Sequence, residues 1–161
     1  MNQHDHSHQS ELGAAFLTDH RVLTRGIDAI HHAVVAKDLP KAQKLAEQLD
    51  QEVGPHIEFE ERYLYPFLER SLGPDRVRDL CSEHRAGRAA LRTLLESAGA
   101  AESDLSQVEA QLKIMSDHAL ACGTLASHVE ALDEEQRREL LAHLLELRST
   151  PRRWTDLEIS G

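Results

Sequence analysis

The chain has 161 residues, the length of a single domain, and carries 18 basic and 28 acidic residues for a formal net charge of −10. An acidic chain without a basic block argues against nucleic acid and anionic membranes as partners. Its two cysteines are too few for a disulfide framework, no apolar run approaches the ~18 residues of a membrane span, and no secretory signal is visible. We therefore expect a cytoplasmic protein.

The first half of the chain predicts two long helices. Residues 1–9 are polar and are expected to form a disordered arm, in which alternating histidines (His4, His6 and His8) could chelate a stray metal ion. Ser10 is the expected N-cap of a first helix that runs to about residue 37, with apolar residues at helical spacing. A second helix is predicted over residues 40–71, with kinks at Gly54–Pro55 and at Pro66.

The second half predicts two more long helices and a short one. The third helix covers about residues 75–98 and stops at residues 97–99, and the fourth runs from residue 103 or 104 to about 132. Asp133 is the expected N-cap of a fifth helix that ends near residue 147. Pro151 is expected to end the ordered part and leave residues 150–161 as a tail. No segment predicts a strand, so we expect an all-α fold over residues 10–149, an up-down-up-down four-helix bundle with a short fifth C-terminal helix.

Histidine is the unusual residue of this chain, with eleven copies. Four of them fall on the apolar stripes of the four long helices, one per helix: His20, His56, His84 and His118. Within each predicted hairpin the two histidines are equally far from the turn, roughly 17 residues in the first hairpin and roughly 14 in the second, which places them at one height. Four buried imidazoles at one level cannot all satisfy one another without water or a metal ion.

A carboxylate joins this predicted layer. Glu60 follows His56 by four residues and therefore lies on the same helix face, one turn away. Imidazole and carboxylate groups on facing helices are the ligands with which bundle cores hold two iron or manganese ions. The pattern therefore predicts a site for a borderline cation such as iron or zinc.

Three runs of this sequence resemble the hemerythrin-like (HHE cation-binding) domain family: residues 18–23 around His20, residues 56–66 and residues 83–88. The resemblance covers about residues 12–147. It implies a non-haem di-iron site in a four-helix bundle, with dioxygen, nitric oxide or peroxide as ligands, or a role in the repair of iron–sulfur clusters. It also implies two iron ions per chain, with Glu60 bridging them and the following side chains as ligands: His20, His56, Glu60, His84 and His118.

The sequence departs from the family pattern at the second hairpin. Where the family usually repeats the spacing of His56 and Glu60, Cys122 stands four residues after His118. Arg88 replaces a histidine of the oxygen-carrying branch, so the chain resembles more closely the six-ligand, repair-like branch. An alternative assignment, called here the rival register, takes His128 and Asp133 as the last ligands, and their spacing matches the last ligand motif of the oxygen carriers. It would place His128 about 15 Å from the histidine layer.

The two cysteines leave three interpretations open. Cys122 is a small inert core residue, a thiolate ligand that completes the metal site, or a redox thiol. Cys81 precedes His84 by three residues and lies on the same side of the histidine layer as Cys122, so a disulfide between the two cysteines is geometrically possible. Tyr63 and Tyr65 flank the helix of the site and are expected to pack in the core, although the resemblance also implies that an aromatic near the metal can shape the ligand pocket. Glu61 is expected to be a surface group or an outer neighbour of the site.

These patterns predict a non-haem iron protein that binds a small diatomic ligand or peroxide, in the stress response or in iron handling, rather than an enzyme with turnover. The alternative is a degenerate site for a single iron or zinc ion, with Cys122 and Cys81 in redox signalling. A purely structural bundle is a third hypothesis. The sequence identifies no protein partner, and it holds no glycine-rich phosphate loop or hydrolase motif.

Overall fold

The computed structural model describes residues 9–96 and 102–158. The predicted arm at residues 1–9 lies outside these residues except for Gln9, as does the predicted stop at residues 97–99. Within the described part the chain contains no strand and folds into a bundle of these helices: α1 (Glu11–Val35), α2 (Leu39–Phe59), a π-helical turn (Glu60–Leu64), α3 (Tyr65–Leu72), α4 (Pro74–Glu96), α5 (Glu102–Gly123), α6 (Ala126–Ala131), α7 (Glu134–Ser149) and a 3₁₀ turn (Trp154–Asp156).

Four helices form the predicted bundle. α1 packs against α2 and α5, and α4 packs against the same two helices, so α1, α2, α4 and α5 close a ring. Helix α7 is the expected short C-terminal helix and packs on α2 and α1. No described helix is both long enough and apolar enough to cross a lipid bilayer.

The predicted N-caps are present where a side chain accepts the hydrogen bonds that the first helical turn leaves unmade. The Ser10 hydroxyl accepts from the backbone of Gly13, and Asp38 caps α2 ahead of a proline in its first turn. Asp133 caps α7 in a reciprocal capping box with Gln136. The interpretation of Asp133 as a cap is thus confirmed.

Helix α2 continues through Gly54–Pro55, and a π-helical turn lies just before Pro66, where a kink is predicted. Two details of the prediction were wrong. The predicted fourth helix does not run on to residue 132, because α5 ends at Gly123 and a turn separates it from α6. Order does not end at Pro151: Trp154 is completely buried, so the predicted tail packs onto the bundle.

Two apolar clusters build the core, one on each side of a polar layer. One cluster extends from Leu23 along α1 to the hairpin turns and includes Trp154. The other holds Phe16, Leu80 and Cys122, and helix α7 covers it. The four predicted histidines and Glu60 are buried between these clusters, so the bundle surrounds its polar layer with apolar walls.

The π-helical turn has a local cause in the sequence. Pro66 has no N–H to donate and would clash with the carbonyl of Arg62 in a regular α-helix. The chain instead forms a bond of wider spacing, from the backbone N–H of Tyr65 to the carbonyl of Glu60. Residues five apart, which in an α-helix point about 140° from each other, are thereby brought to the same side. Glu60 and Tyr65 consequently face the same part of the core.

Candidate metal centre

Two trios of side chains meet at Glu60 in the middle of the bundle. His20 and His56 form one trio with Glu60, and His84 and His118 form the other; within each trio the potential ligand atoms lie within 4.8 Å of one another. All five side chains are buried. The predicted layer is thus assembled from α1, α2, the π-helical turn, α4 and α5.

The inner atoms of this layer are close together and lack ordinary partners. His84 Nε2 lies 2.9 Å from His118 Nε2, and His56 Nε2 lies 2.8 Å from Glu60 Oε1. Within the described residues, His20 Nε2 is buried without a hydrogen bond. Buried polar atoms are normally satisfied, so an inward-facing set of imidazole nitrogens around a carboxylate indicates a site for a cation.

The outer nitrogen of every histidine faces a carbonyl or a carboxyl group. Nδ1 of His20 bonds the carbonyl of Phe16 at 3.1 Å, and Nδ1 of His56 lies 3.3 Å from Asp19 Oδ2. Nδ1 of His84 bonds Glu61 at 2.9 Å, and that of His118 bonds Glu83 at 2.6 Å. Histidines that bind metals are usually oriented by a carboxylate or a carbonyl on the other ring nitrogen, which leaves Nε2 for the ion.

Comparison with known proteins agrees with this geometry. The family description "Hemerythrin HHE cation binding domain" matches residues 13–121, which is more than half of the chain. The chain belongs to this hemerythrin family. No curated protein and no solved structure matches it.

The donor set fits what a hemerythrin domain holds. Imidazole nitrogens and a carboxylate suit iron and other borderline cations, and the unsatisfied inner atoms supply the physical need for one. The centre identifies this hemerythrin-like chain as a metal-binding protein.

Carboxyl groups face the outer nitrogens in the His84–His118 half of the hemerythrin site. The hydrogen bond from His118 Nδ1 lowers the pKa of Glu83. His84 Nδ1 lies 2.9 Å from Glu61. Burial and the nearby Glu60 carboxylate raise the pKa of Glu61 to about 8, which agrees with a protonated Glu61 at neutral pH.

The other charges follow from burial and from Glu60. Burial lowers the pKa of His20 to about 4, and burial together with His118 lowers that of His84 to about 3. Burial also acts to lower the pKa of His56, but the carboxylates of Glu60 and Asp19 outweigh it and raise the value to about 9. Burial acts to raise the pKa of Glu60, yet His56 holds it well below its usual value. The ion-free centre therefore balances an ionised Glu60 with a charged His56.

Two further side chains contact Glu60. The Tyr65 hydroxyl donates to Oε2 at 2.8 Å and lies 3.3 Å from His84 Nε2. The Cys122 thiol donates to the same Oε2 at 2.9 Å. Burial, reinforced by Glu60, raises the pKa of both groups well above the usual value. The structure thus brings Cys122 to the predicted site, although its sulfur belongs to neither trio.

The remaining predicted candidates lie elsewhere. His128 belongs to α6 and to neither trio, so the rival register does not form within the described residues. Cys81 and Cys122 are both free thiols, and the disulfide is not formed. Burial raises the pKa of Cys81 to about 11, which makes it a weak nucleophile at neutral pH.

Sequence reasoning missed Asp19 and Glu83 as residues of the site, although a pattern in the chain points to them. Each is the acid immediately before the histidine in the first helix of its hairpin, and each holds the histidine of the second helix. The two hairpins therefore repeat their supporting acids as well as their histidines. Tyr65 packs in the core as expected, and its hydroxyl also reaches Glu60, a contact that the sequence did not predict.

Proposed function

We propose that this hemerythrin-like chain binds two iron ions, which share Glu60 as a ligand. His20 and His56 would hold one ion, and His84 and His118 the other. The observation that carries the proposal is the pair of trios that share Glu60, in which every histidine is held at Nδ1 and turns Nε2 inward.

We further propose dioxygen, nitric oxide or peroxide as the ligand of the loaded centre, with a role in the stress response or in iron handling in the cytoplasm. Iron bound there would supply redox chemistry and open coordination positions, because two histidines and a shared carboxylate do not fill its coordination shell. The protein supplies fixed donors and apolar walls on both sides of the layer. A cleft of about 310 Å³, lined by Asp19, Glu52 and His56 among others, reaches the outer edge of the site and suits a small ligand.

Elemental analysis of the iron-reconstituted full-length chain tests the metal content. His4, His6 and His8 are replaced by alanine, so that residues 1–9 contribute no adventitious metal. We expect two iron ions per chain, a loss of iron in Glu60→Ala and in His84→Ala, and no change in His32→Ala, whose side chain is exposed. One ion per chain would favour the single-metal alternative, and iron content independent of Glu60 and His84 would overturn the proposal.

Absorption spectroscopy of the loaded chain tests the ligand. Ferrous protein is exposed separately to dioxygen, nitric oxide and peroxide, with the iron-depleted Glu60→Ala variant as the control. We expect a change in the absorption spectrum with at least one of the three ligands in the parent chain only. Iron-loaded protein that responds to none of them would refute the gas-binding part of the proposal and leave metal binding intact.

A further inference from the structure

The two oxygens of Glu60 have different surroundings. Oε2 accepts two hydrogen bonds, from the Tyr65 hydroxyl at 2.8 Å and from the Cys122 thiol at 2.9 Å. Oε1 pairs with the charged His56 at Nε2, 2.8 Å away, and lies 3.7 Å from His84 Nε2. Oε2 is therefore held by two side chains outside the histidine layer, whereas Oε1 is directed at histidines of both pairs.

The two donors reach Oε2 for separate structural reasons. Tyr65 reaches it because the π-helical turn brings residues five apart to one side of the helix. Cys122 follows His118 by four residues, as Glu60 follows His56, so corresponding positions of the two hairpins meet at the centre. Both donors are completely buried, so no bulk water competes with Glu60 for their hydrogen bonds.

We propose that Tyr65 and Cys122 are positioning residues, which fix the orientation of the Glu60 carboxylate by donating hydrogen bonds to its Oε2. This inference rests on the proposed function, since it assigns the way in which the shared ligand is held. It also assigns Cys122 a role different from a metal ligand: its proton remains on sulfur and its partner is the carboxylate.

Iron affinity of the full-length chain tests this assignment, measured by competition with a ferrous chelator under anaerobic conditions. Loss of a hydrogen bond that orients a ligand typically weakens metal binding 10–100-fold. We expect a loss of that size in Tyr65→Phe and in Cys122→Ala. In Cys122→Ser a hydroxyl donor replaces the thiol, and we expect it to restore most of the affinity. The matched controls are Tyr63→Phe and Cys81→Ser. Tyr63→Phe removes the same hydroxyl group from a ring that stacks on His143.

The same variants separate positioning from ligation. Direct ligation of ferric iron by phenolate or thiolate produces a charge-transfer band in the visible spectrum. We expect the parent chain to show no such band that depends on Tyr65 or Cys122. A band that disappears in Tyr65→Phe or in Cys122→Ser would overturn the inference, because the residue would then be a ligand.

An infrared measurement on the metal-free chain tests the thiol hydrogen bond without iron. The S–H stretch of Cys122, identified by its loss in Cys122→Ser, is expected at lower frequency than that of a thiol without a hydrogen bond, and it should shift in Glu60→Gln. A Cys122 band insensitive to Glu60 would overturn the inference. If the parent chain binds no iron, the proposed function fails. If it binds iron but Tyr65→Phe and Cys122→Ala bind equally well, this inference alone fails.

Discussion

Replacement of Trp154 by alanine should destabilise the whole bundle. The indole is completely buried in the apolar cluster beside Gly87 and Met115. Burial of an aromatic side chain removes about 150–250 Å² from water, which at roughly 25 cal/mol per Å² stabilises the fold by about 4–6 kcal/mol. The indole N–H has no hydrogen-bond partner within the described residues. Burying it unpaired costs about 1–3 kcal/mol, which the substitution would recover. We therefore expect the free energy of unfolding to fall by about 3 kcal/mol.

Denaturant unfolding of the metal-free chain, followed by circular dichroism, measures this loss. In a chain of this length it corresponds to a fall in Tm of about 6–12 °C. Leu145→Ala is the control, because that side chain is 53% exposed on α7 and should change the stability by less than about 1 kcal/mol. The fluorescence of Trp154, the only tryptophan, should be that of a buried indole. A loss below about 1 kcal/mol would refute the packing of the C-terminal segment.

Three other predictions follow from the site and its surroundings. Glu83→Gln should weaken metal binding about 10–100-fold by loosening His118, whereas unchanged affinity would show that this carboxylate has no orienting role. His20 titrates near pH 4 when folded but near 6.5 when unfolded, so it should cost the metal-free chain roughly 2 kcal/mol between pH 7 and 5, while Glu61 and His56, with folded pKa values of about 8 and 9, act in the opposite direction. Denaturant unfolding of the parent and of His20→Gln at both pH values isolates the histidine, and an equal pH dependence of the two chains would contradict this. Gly54→Ala should cost about 1–3 kcal/mol, because its Cβ would meet the backbone of the C-terminal segment, and a stabilised variant would contradict that contact.

The bundle and the candidate ligands could be predicted from the sequence because both depend on regular helical geometry. Apolar spacing located the long helices, and equal distances from the hairpin turns placed the four histidines at one height. The spacing of His56 and Glu60 placed the carboxylate on the same face. The structure brings these five side chains together, and each lies on a helical segment.

The rest of the centre depends on features that helical periodicity does not encode. The π-helical turn rotates Tyr65 toward Glu60, and the partners of Glu61 and Glu83 lie on neighbouring helices. The packing of Trp154 depends on two small residues, Gly54 and Gly87, which leave room for the C-terminal segment between distant parts of the chain. Contacts of this kind require the three-dimensional arrangement of the helices, which spacing within one helix does not supply.

The position of the C-terminal segment has a consequence for the effect of chain cleavage. Trp154 packs beside Gly87 and Met115, each three residues from a proposed ligand, and it belongs to the same apolar cluster as residues of α1, α2, α4 and α5. A cut before Trp154 would therefore leave all five proposed ligands in the chain and still remove apolar contact from the cluster beside them.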